Sequence, residues 1–502
     1  MKKILVLALF ALVSSQVFAH EKQNLRVLYV GGSANLGGGR GSSAAETERT
    51  AESARQRTAA FEAYLNEYFT HVGVVQGKDY TENMSARYDV TIFDGAITPI
   101  SGSGRDAQYL SEDFANPAMM LADTSPLLGV PIGLKFDHYC LCLWDHALNF
   151  DLNHQIFAGP FPVRITVEHQ PTPDAASIYV TYFPNRNVPD TMPMWRVQHF
   201  LRLEGQQGSG NRIGLVSRWL GFTDSPDSEF ISSGTCEKSP LAVAIGRHGN
   251  YFHWGFSASP PFMTDEARQV FANAVVYTST LKGERVIARK YHDRVATKEY
   301  VDEMLYFATR DHYNVEIARA AAVADSNEAI LKVALEKQAR GEPLVGRERS
   351  IIGYRRPPVQ TYEDFLRRAL GDKFERWGND MEGYSRFYTD NLPYLYAGSL
   401  IFYDFIVDED VKSLGIPNND IRLLDKAISM LERNEDVAKA RRILDRYTLC
   451  TFETAKEWRD WFEANKSRIF FTESGGWYFM VNTLDPNEPG NNYRAKAARR
   501  AE

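Results

Sequence analysis

Hydrophobic residues in the first half of the chain form two kinds of pattern. Residues 25–30 (LRVLYV) and 88–93 (YDVTIF) are short, mostly apolar runs, whereas apolar side chains recur every three or four positions across 46–71. Short apolar runs predict buried strands, and the longer period predicts a helix. Together with a further strand at 72–75, this order predicts an α/β fold with a doubly wound, mostly parallel sheet.

The same pattern extends the sheet along the chain. Mostly apolar segments predict further strands, some of them antiparallel, at 118–122, 163–167, 177–183, 213–219, 242–245 and 251–256. Thr264 precedes a periodic apolar segment and predicts a capped helix that ends near residue 281. Arg247 and His248 stand between two predicted strands, which favours a hairpin tip exposed to solvent.

After residue 283 the pattern becomes helical and rich in charge. Helices at 421–431 and 437–447 are predicted to form an antiparallel pair, and Thr454 with Glu457 forms a capping box that begins another helix. Aromatic residues across 384–403 could form a carbohydrate platform, but their helical spacing favours a buried core. The predicted parts are a signal at 1–19, an α/β domain at 20–283, a helical segment at 284–342, a linker at 343–360 and a helical domain at 361–502.

The first residues have the pattern of a cleaved export signal. Lys2 and Lys3 precede an apolar stretch at 4–17, and Ala19 completes a small-x-small cleavage pattern. The stretch is shorter than the ~18–20 residues that a membrane span needs. We therefore predict cleavage after Ala19, a periplasmic or extracellular location, and no membrane span in the cleaved protein.

Composition narrows the classes of function. The chain has 502 residues, of which 44% are hydrophobic and 24% charged, as in globular proteins. Its net charge of −7 gives no reason to expect binding to nucleic acid. The motif at 39–44 (GRGSSA) matches a phosphate-binding pattern, but it begins too far beyond the strand that ends at Val30, so a surface loop is favoured and no cofactor is predicted.

Residues 137–146 (DHYCLCLWDH) hold the densest group of reactive side chains. His138, Cys140 and Cys142 share one face of a predicted strand and are candidates for a soft metal site or a cysteine nucleophile. Cys-x-Cys spacing is atypical of zinc sites, which favours two small core residues and no metal. A disulfide from Cys140 or Cys142 to Cys236 is a third interpretation.

Four segments resemble the ThuA-like family of the class I glutamine amidotransferase-like superfamily. They are residues 26–33 (RVLYVGGS), 88–95 (YDVTIFDG), 153–161 (NHQIFAGPF) and 246–278, and the resemblance covers about residues 24–282. It implies a flavodoxin-like sheet. Gln155 replaces a proline of the family pattern.

The resemblance also implies which chemistry is missing. Amidotransferases of this superfamily use a cysteine on a strand-to-helix elbow and a His-Glu pair in the closing hairpin. The elbow falls here near 122–125, which has no cysteine, and 253–255 (HWG) stands in place of His-Pro-Glu. Glutamine hydrolysis by that triad is therefore not expected, and the ThuA-like proteins that the chain resembles lack the triad as well.

Ligands of doubly wound sheets bind beyond the carboxyl ends of the strands. Aromatic rings beside carboxylates are suited to sugars, and the segment 219–227 combines both, although Asp224 and Asp227 could instead cap backbone amides of a turn. The candidate ligand-binding residues are Gly31, Gly32, Ser33, Asp94, Asp123, Asp224, Asp227 and Trp254.

The leading functional hypothesis is an exported ThuA-like protein that binds or processes a small polar metabolite such as a saccharide. One alternative is a non-enzymatic module of the cell envelope, whose helical region binds a protein partner. A second alternative is a Cys- or metal-dependent hydrolase that uses the cluster at 137–146.

Overall fold

The protein is a mixed α/β molecule with a ten-stranded sheet followed by a mainly helical part. The computed structural model describes residues 21–32, 44–173, 189–199, 214–219, 222, 225–290, 298–397, 405–472 and 477–483. The predicted signal at 1–19, the strand at 177–183 and the ligand candidates Ser33 and Asp224 lie outside these residues.

The large sheet has a parallel half and an antiparallel half. The strands of the first part of the chain are β1 (Gln23–Gly31), β2 (Phe69–Gln76), β3 (Val90–Phe93), β4 (Ala118–Leu121), β5 (Cys140–Leu143), β6 (His146–Leu148), β7 (Val167–Pro171), β8 (Thr191–Arg196), β9 (Gly214–Val216), β10 (Ser228–Gly234), β11 (Val243–His248) and β12 (Tyr251–Trp254). Their order is β2-β1-β3-β4-β12-β11-β10-β6-β8-β7. The strands from β2 to β12 in this order are parallel, and the others are antiparallel. β5 pairs with β9 outside this sheet.

Helices cover both faces of the parallel half. They are α1 (Ala44–Tyr68), α2 (Glu82–Ser85), α3 (Thr124–Gly129), α4 (Gln155–Ala158) and α5 (Asp265–Ser279). Phe61 of α1 and Phe271 of α5 share one core with Trp254 of β12, while Leu128 of α3 belongs to the core on the other face. Thr264 caps α5 as predicted, because its side chain accepts a hydrogen bond from the backbone N–H of Ala267.

The second part of the chain is mainly helical and has its own core. Its helices are α6 (Lys298–Phe307), α7 (Arg310–Ala339), α8 (Arg347–Ile351), α9 (Tyr362–Leu370), α10 (Phe374–Trp377), α11 (Met381–Asn391), α12 (Glu409–Leu414), α13 (Arg422–Glu432), α14 (Val437–Tyr447) and α15 (Ala455–Asn465). Two antiparallel hairpins accompany them, β13 (Leu395–Ala397) with β14 (Phe405–Val407) and β15 (Ile469–Thr472) with β16 (Tyr478–Val481). The capping box of Thr454 and Glu457 begins α15 as predicted. None of the helices in the described ranges is both long enough and apolar enough to cross a membrane.

The expected exposure of Arg247 and His248 is wrong. Arg247 is 3% exposed and His248 is fully buried, because each side chain has polar partners inside the protein. Arg247 pairs with Glu229 of β10 at 2.9 Å, and the ring nitrogen Nδ1 of His248 accepts a hydrogen bond from the backbone N–H of Lys135 at 3.1 Å. Strand β10 itself had no counterpart among the predicted strands, and it supplies this internal pairing.

The chain beyond α5 stays attached to the α/β part. Ile287, Ala288 and Lys290 are buried. The carboxylate of Asp227 accepts hydrogen bonds from the backbone N–H groups of Ile287 and Ala288. Lys290 forms an ion pair with Asp137 at 3.3 Å.

Candidate functional site

The carboxyl ends of the parallel strands bring several predicted residues together. β1 ends at Gly31, Asp94 directly follows β3, and Ala122 directly follows β4, and these three strands are neighbours in the sheet. Gly32 has a left-handed backbone (φ 68°), and a Cβ atom here would lie 2.5 Å from the side-chain oxygen of Gln76. Only glycine fits such a position without strain, so β1 ends in a tight turn against the side chain of Gln76.

A buried ion pair holds Asp94 in place. The Arg57 guanidinium, from α1, donates through Nη2 to Oδ1 of Asp94 at 2.8 Å and through Nη1 to the backbone oxygen of Ser257 at 2.6 Å. The hydroxyl of Tyr29 donates to the other carboxylate oxygen. The side chain of Asp94 is 1% exposed, whereas that of Arg57 is 15% exposed. Arg57 therefore ties α1 to the ends of β3 and β12, and the Asp94 carboxylate is occupied by the protein.

Arg57 interacts with more than one acidic group at this edge. Burial opposes the charge of Arg57, but Asp94, Tyr29 and Asp123 outweigh it and raise the pKa of the guanidinium. Asp94 is buried, while Asp123 is exposed at the start of α3. Among the residues that the structure describes, Arg57 thus interacts with two carboxylates, Asp94 and Asp123.

Ala122 has a strained backbone at the turn from β4 to α3. Its φ is 44°, in the left-handed region that costs an L-residue roughly 1–2 kcal/mol. Its backbone N–H donates to the oxygen of Trp254 at 2.8 Å, and its oxygen accepts from the N–H of Ser125 at 3.1 Å. The resemblance to amidotransferases expects the elbow at this turn. The alanine side chain offers no nucleophilic atom there.

His253 lies behind the turn, inside the protein. It is fully buried, it stacks on Phe136 with ring centroids 5.5 Å apart, and its Nδ1 lies 2.7 Å from the hydroxyl oxygen of Ser125. Burial lowers the pKa of His253 to about 4, so the ring is neutral near pH 7. The pair joins β12 to α3 and is closed to solvent, since Ser125 is also fully buried.

The structure separates Asp227 from the other candidate carboxylates. Asp227 is 3% exposed, and its Oδ2 lies 3.2 Å from Nε2 of His248. The backbone oxygen of Asp227 accepts from Gly249, just before β12 begins, which places it toward the amino ends of the parallel strands. The sequence offered the alternative that Asp227 caps backbone amides of a turn. Asp227 does accept hydrogen bonds from backbone amides, but these amides belong to Ile287 and Ala288 and not to its own turn.

Trp254 belongs to the core and not to an open site. It is fully buried, and its ring meets the edge of Phe271 with centroids 5.2 Å apart. Its indole fills the layer between the sheet and α5. The sequence placed Trp254 near the end of a strand, but the alternation of strand side chains directs it into this core.

The cysteines of the predicted metal cluster are bonded to each other. A disulfide joins Cys140 and Cys142, and Cys236 is a buried free thiol, so neither predicted pairing to Cys236 is formed. Thiolate ligands are consequently not offered by this pair in its oxidised state. Within the ranges that the structure describes, no three His, Cys, Asp or Glu side chains, His138 included, are grouped so as to hold a metal ion.

The segment 153–161, which carries part of the family resemblance, has a structural role. His154 caps α4 and lies 3.5 Å from Glu229. The amide of Asn273 donates to the backbone oxygen of Phe161 at 2.9 Å and accepts from its N–H at 3.0 Å. These contacts fix the segment against β10 and α5.

Arg57 is the main residue of this edge that sequence reasoning missed. It lies in a helix with many charged positions, and nothing in the local pattern distinguishes it from the exposed Arg55. Comparison of the chain with known protein families, with curated proteins and with solved structures finds no match. The geometry of the edge is therefore the basis for a functional proposal.

Proposed function

We propose that this is an exported ThuA-like protein that binds a small, uncharged, polyhydroxylated metabolite, a saccharide being the best representative. The observation that carries the proposal is the group at the carboxyl edge, where exposed Asp123 follows the left-handed turn at Ala122 and lies beside the buried Arg57–Asp94 pair.

The sheet supports a flavodoxin-like assignment for the α/β part. Its parallel strands follow the order β2-β1-β3-β4-β12, which corresponds to the 2-1-3-4-5 order of one common doubly wound fold. In that fold the ligand binds where the direction of winding changes, between the first and third strands. Gly31, Gly32 and Asp94 lie at this point.

The charges favour an uncharged ligand over a phosphate. Arg57 is already paired with Asp94, and Asp123 adds a further negative charge. A carboxylate at the surface accepts hydrogen bonds from sugar hydroxyls, and the bond is strengthened by the charge. An anionic ligand would meet repulsion from the same group.

Binding is favoured over hydrolysis by the side chains at the elbow. Ala122 cannot attack a substrate, and His253 is enclosed in the core with Ser125. A general base must reach the proton that it removes. The role that fits these residues is recognition, with Asp123 as the main polar contact.

The test is calorimetric titration of the purified protein with a panel of neutral mono- and disaccharides, sugar acids and sugar phosphates. We expect a neutral saccharide to bind, and Asp123→Asn to weaken it about tenfold, the size expected for loss of one charged hydrogen bond. Asp113→Asn is the matched control, because Asp113 is an exposed aspartate in the loop before β4, at the opposite edge of the sheet. Equal affinity of the Asp123→Asn and Asp113→Asn variants, or preference for sugar phosphates, would overturn the proposal.

A further inference from the structure

The helical part contains a cleft of about 690 Å³. This volume is within the roughly 300–1,000 Å³ that is usual for small-molecule sites. The cleft lies between the end of α9, α10, α11 and β14. Buried Tyr384 and Tyr388 form part of its lining, with half-buried Trp377 and Phe387 beside them.

Two arginines, both exposed, line the cleft. Arg368 and Arg376 have no carboxylate partner among the described residues. Some other arginines of the helical part are paired, since Arg367 contacts Glu363 at 2.8 Å and Arg442 contacts Asp410 at 2.8 Å. The guanidinium charges of Arg368 and Arg376 are therefore not balanced by an ion pair with a described residue.

Aromatic rings orient one of these charges. The guanidinium carbon of Arg376 lies 4.7 Å from the ring centroid of Trp377 and 4.4 Å from that of Phe387. Contacts of this kind hold a guanidinium over a ring face while its N–H groups remain able to donate. Lys373 adds a third cation to the lining, and Asp372 and Glu409 are its two acidic residues.

We infer that this cleft binds a small aromatic anion, a flat ring system that carries a carboxylate or a similar oxyanion. The ring would pack against the aromatic side chains, and the oxyanion would accept hydrogen bonds from Arg376 and Arg368. A neutral polar ligand would leave both guanidinium groups without a counter-charge. This inference concerns a second site and does not depend on the proposed function of the α/β part.

The experiment is calorimetric titration of the full protein with naphthalene-2-carboxylate and, separately, with the neutral naphthalene-2-carboxamide. We expect the carboxylate to bind and the carboxamide to bind at least about tenfold more weakly, because it cannot form a charged hydrogen bond. Arg376→Gln should weaken the carboxylate by a similar factor and Arg368→Gln by a smaller one. Arg367→Gln is the matched control, since Arg367 also lies over a ring, that of Phe374, but does not line the cleft.

Three outcomes would overturn the inference. They are no binding of the carboxylate at millimolar concentration, equal binding of the carboxamide, and unchanged affinity in both the Arg376→Gln and the Arg368→Gln variants. Thermal unfolding of each variant, compared with the parent protein, separates loss of binding from loss of fold. Saccharide binding at the α/β edge is measured in the same samples, so failure of one site leaves the other measurable.

Discussion

Replacement of Arg57 by methionine tests whether the buried pair holds the carboxyl edge together. The variant keeps much of the side-chain volume but removes both hydrogen bonds to Asp94 and the one to Ser257. Breaking a buried ion pair by removing one partner costs about 3–5 kcal/mol. The Arg57 side chain is 15% exposed, so water can partly solvate the site and we expect the lower value, about 3 kcal/mol.

The assay is urea unfolding followed by tryptophan fluorescence. With a slope of roughly 3 kcal/mol per molar urea, the midpoint should fall by about 1 M. Arg57→Met combined with Asp94→Asn should recover part of the loss, because the uncompensated charge is removed while an acceptor remains for Tyr29. Arg55→Met, an exposed arginine of the same helix, should leave the midpoint nearly unchanged. The reasoning fails if the Arg57 and Arg55 variants unfold at the same urea concentration, or if the double variant is less stable than Arg57→Met.

Two further predictions concern buried groups. The pKa of His253 is about 4 in the folded protein and 6.5 ordinarily, so its contribution to stability is complete above pH 6.5 and is lost as the pH falls toward 4, by about 1.4 kcal/mol per pH unit. His253→Phe, which can keep the stacking on Phe136, should make the urea midpoint less dependent on pH between 7 and 5, and an unchanged dependence would contradict the assignment. Replacing Cys140 and Cys142 by serine should lower the free energy of unfolding by only about 1.6 kcal/mol, because their disulfide closes a very short loop. Peptide mapping without reductant should find these two linked, and a bond to Cys236 would refute the pairing.

The sequence predicted correctly those elements that depend on residues close together in the chain. The N-cap at Thr264 and the capping box of Thr454 and Glu457 depend on residues three positions apart, and both are present. The antiparallel pair of α13 and α14 follows from apolar periodicity that a short connection interrupts. Such features are encoded within one helical turn or one loop, so a single sequence is sufficient to find them.

Features that depend on distant residues were not predictable in this way. Asp94 appeared in the sequence as a ligand candidate at a strand end, but its Arg57 partner is remote in the chain. Arg247 and His248 have the polarity of an exposed tip, yet Glu229 and Lys135 provide internal partners. Polarity indicates the cost of burial but not the partner that offsets it, and that partner is determined only by the tertiary fold.

The attachment of residues 285–290 to the α/β part determines where the chain can be divided. A protein shortened after Gly283, where the pattern changes, would retain every strand of the large sheet. It would nevertheless withdraw two N–H donors from the buried Asp227 and the ammonium group from Asp137, which is half-buried and also contacts Arg218. Both losses weaken the compensation of carboxylates that are largely shielded from water. An α/β fragment intended for isolated study should therefore extend through Lys290. The end of the α/β folding unit thus lies beyond Gly283, where the sequence pattern changes.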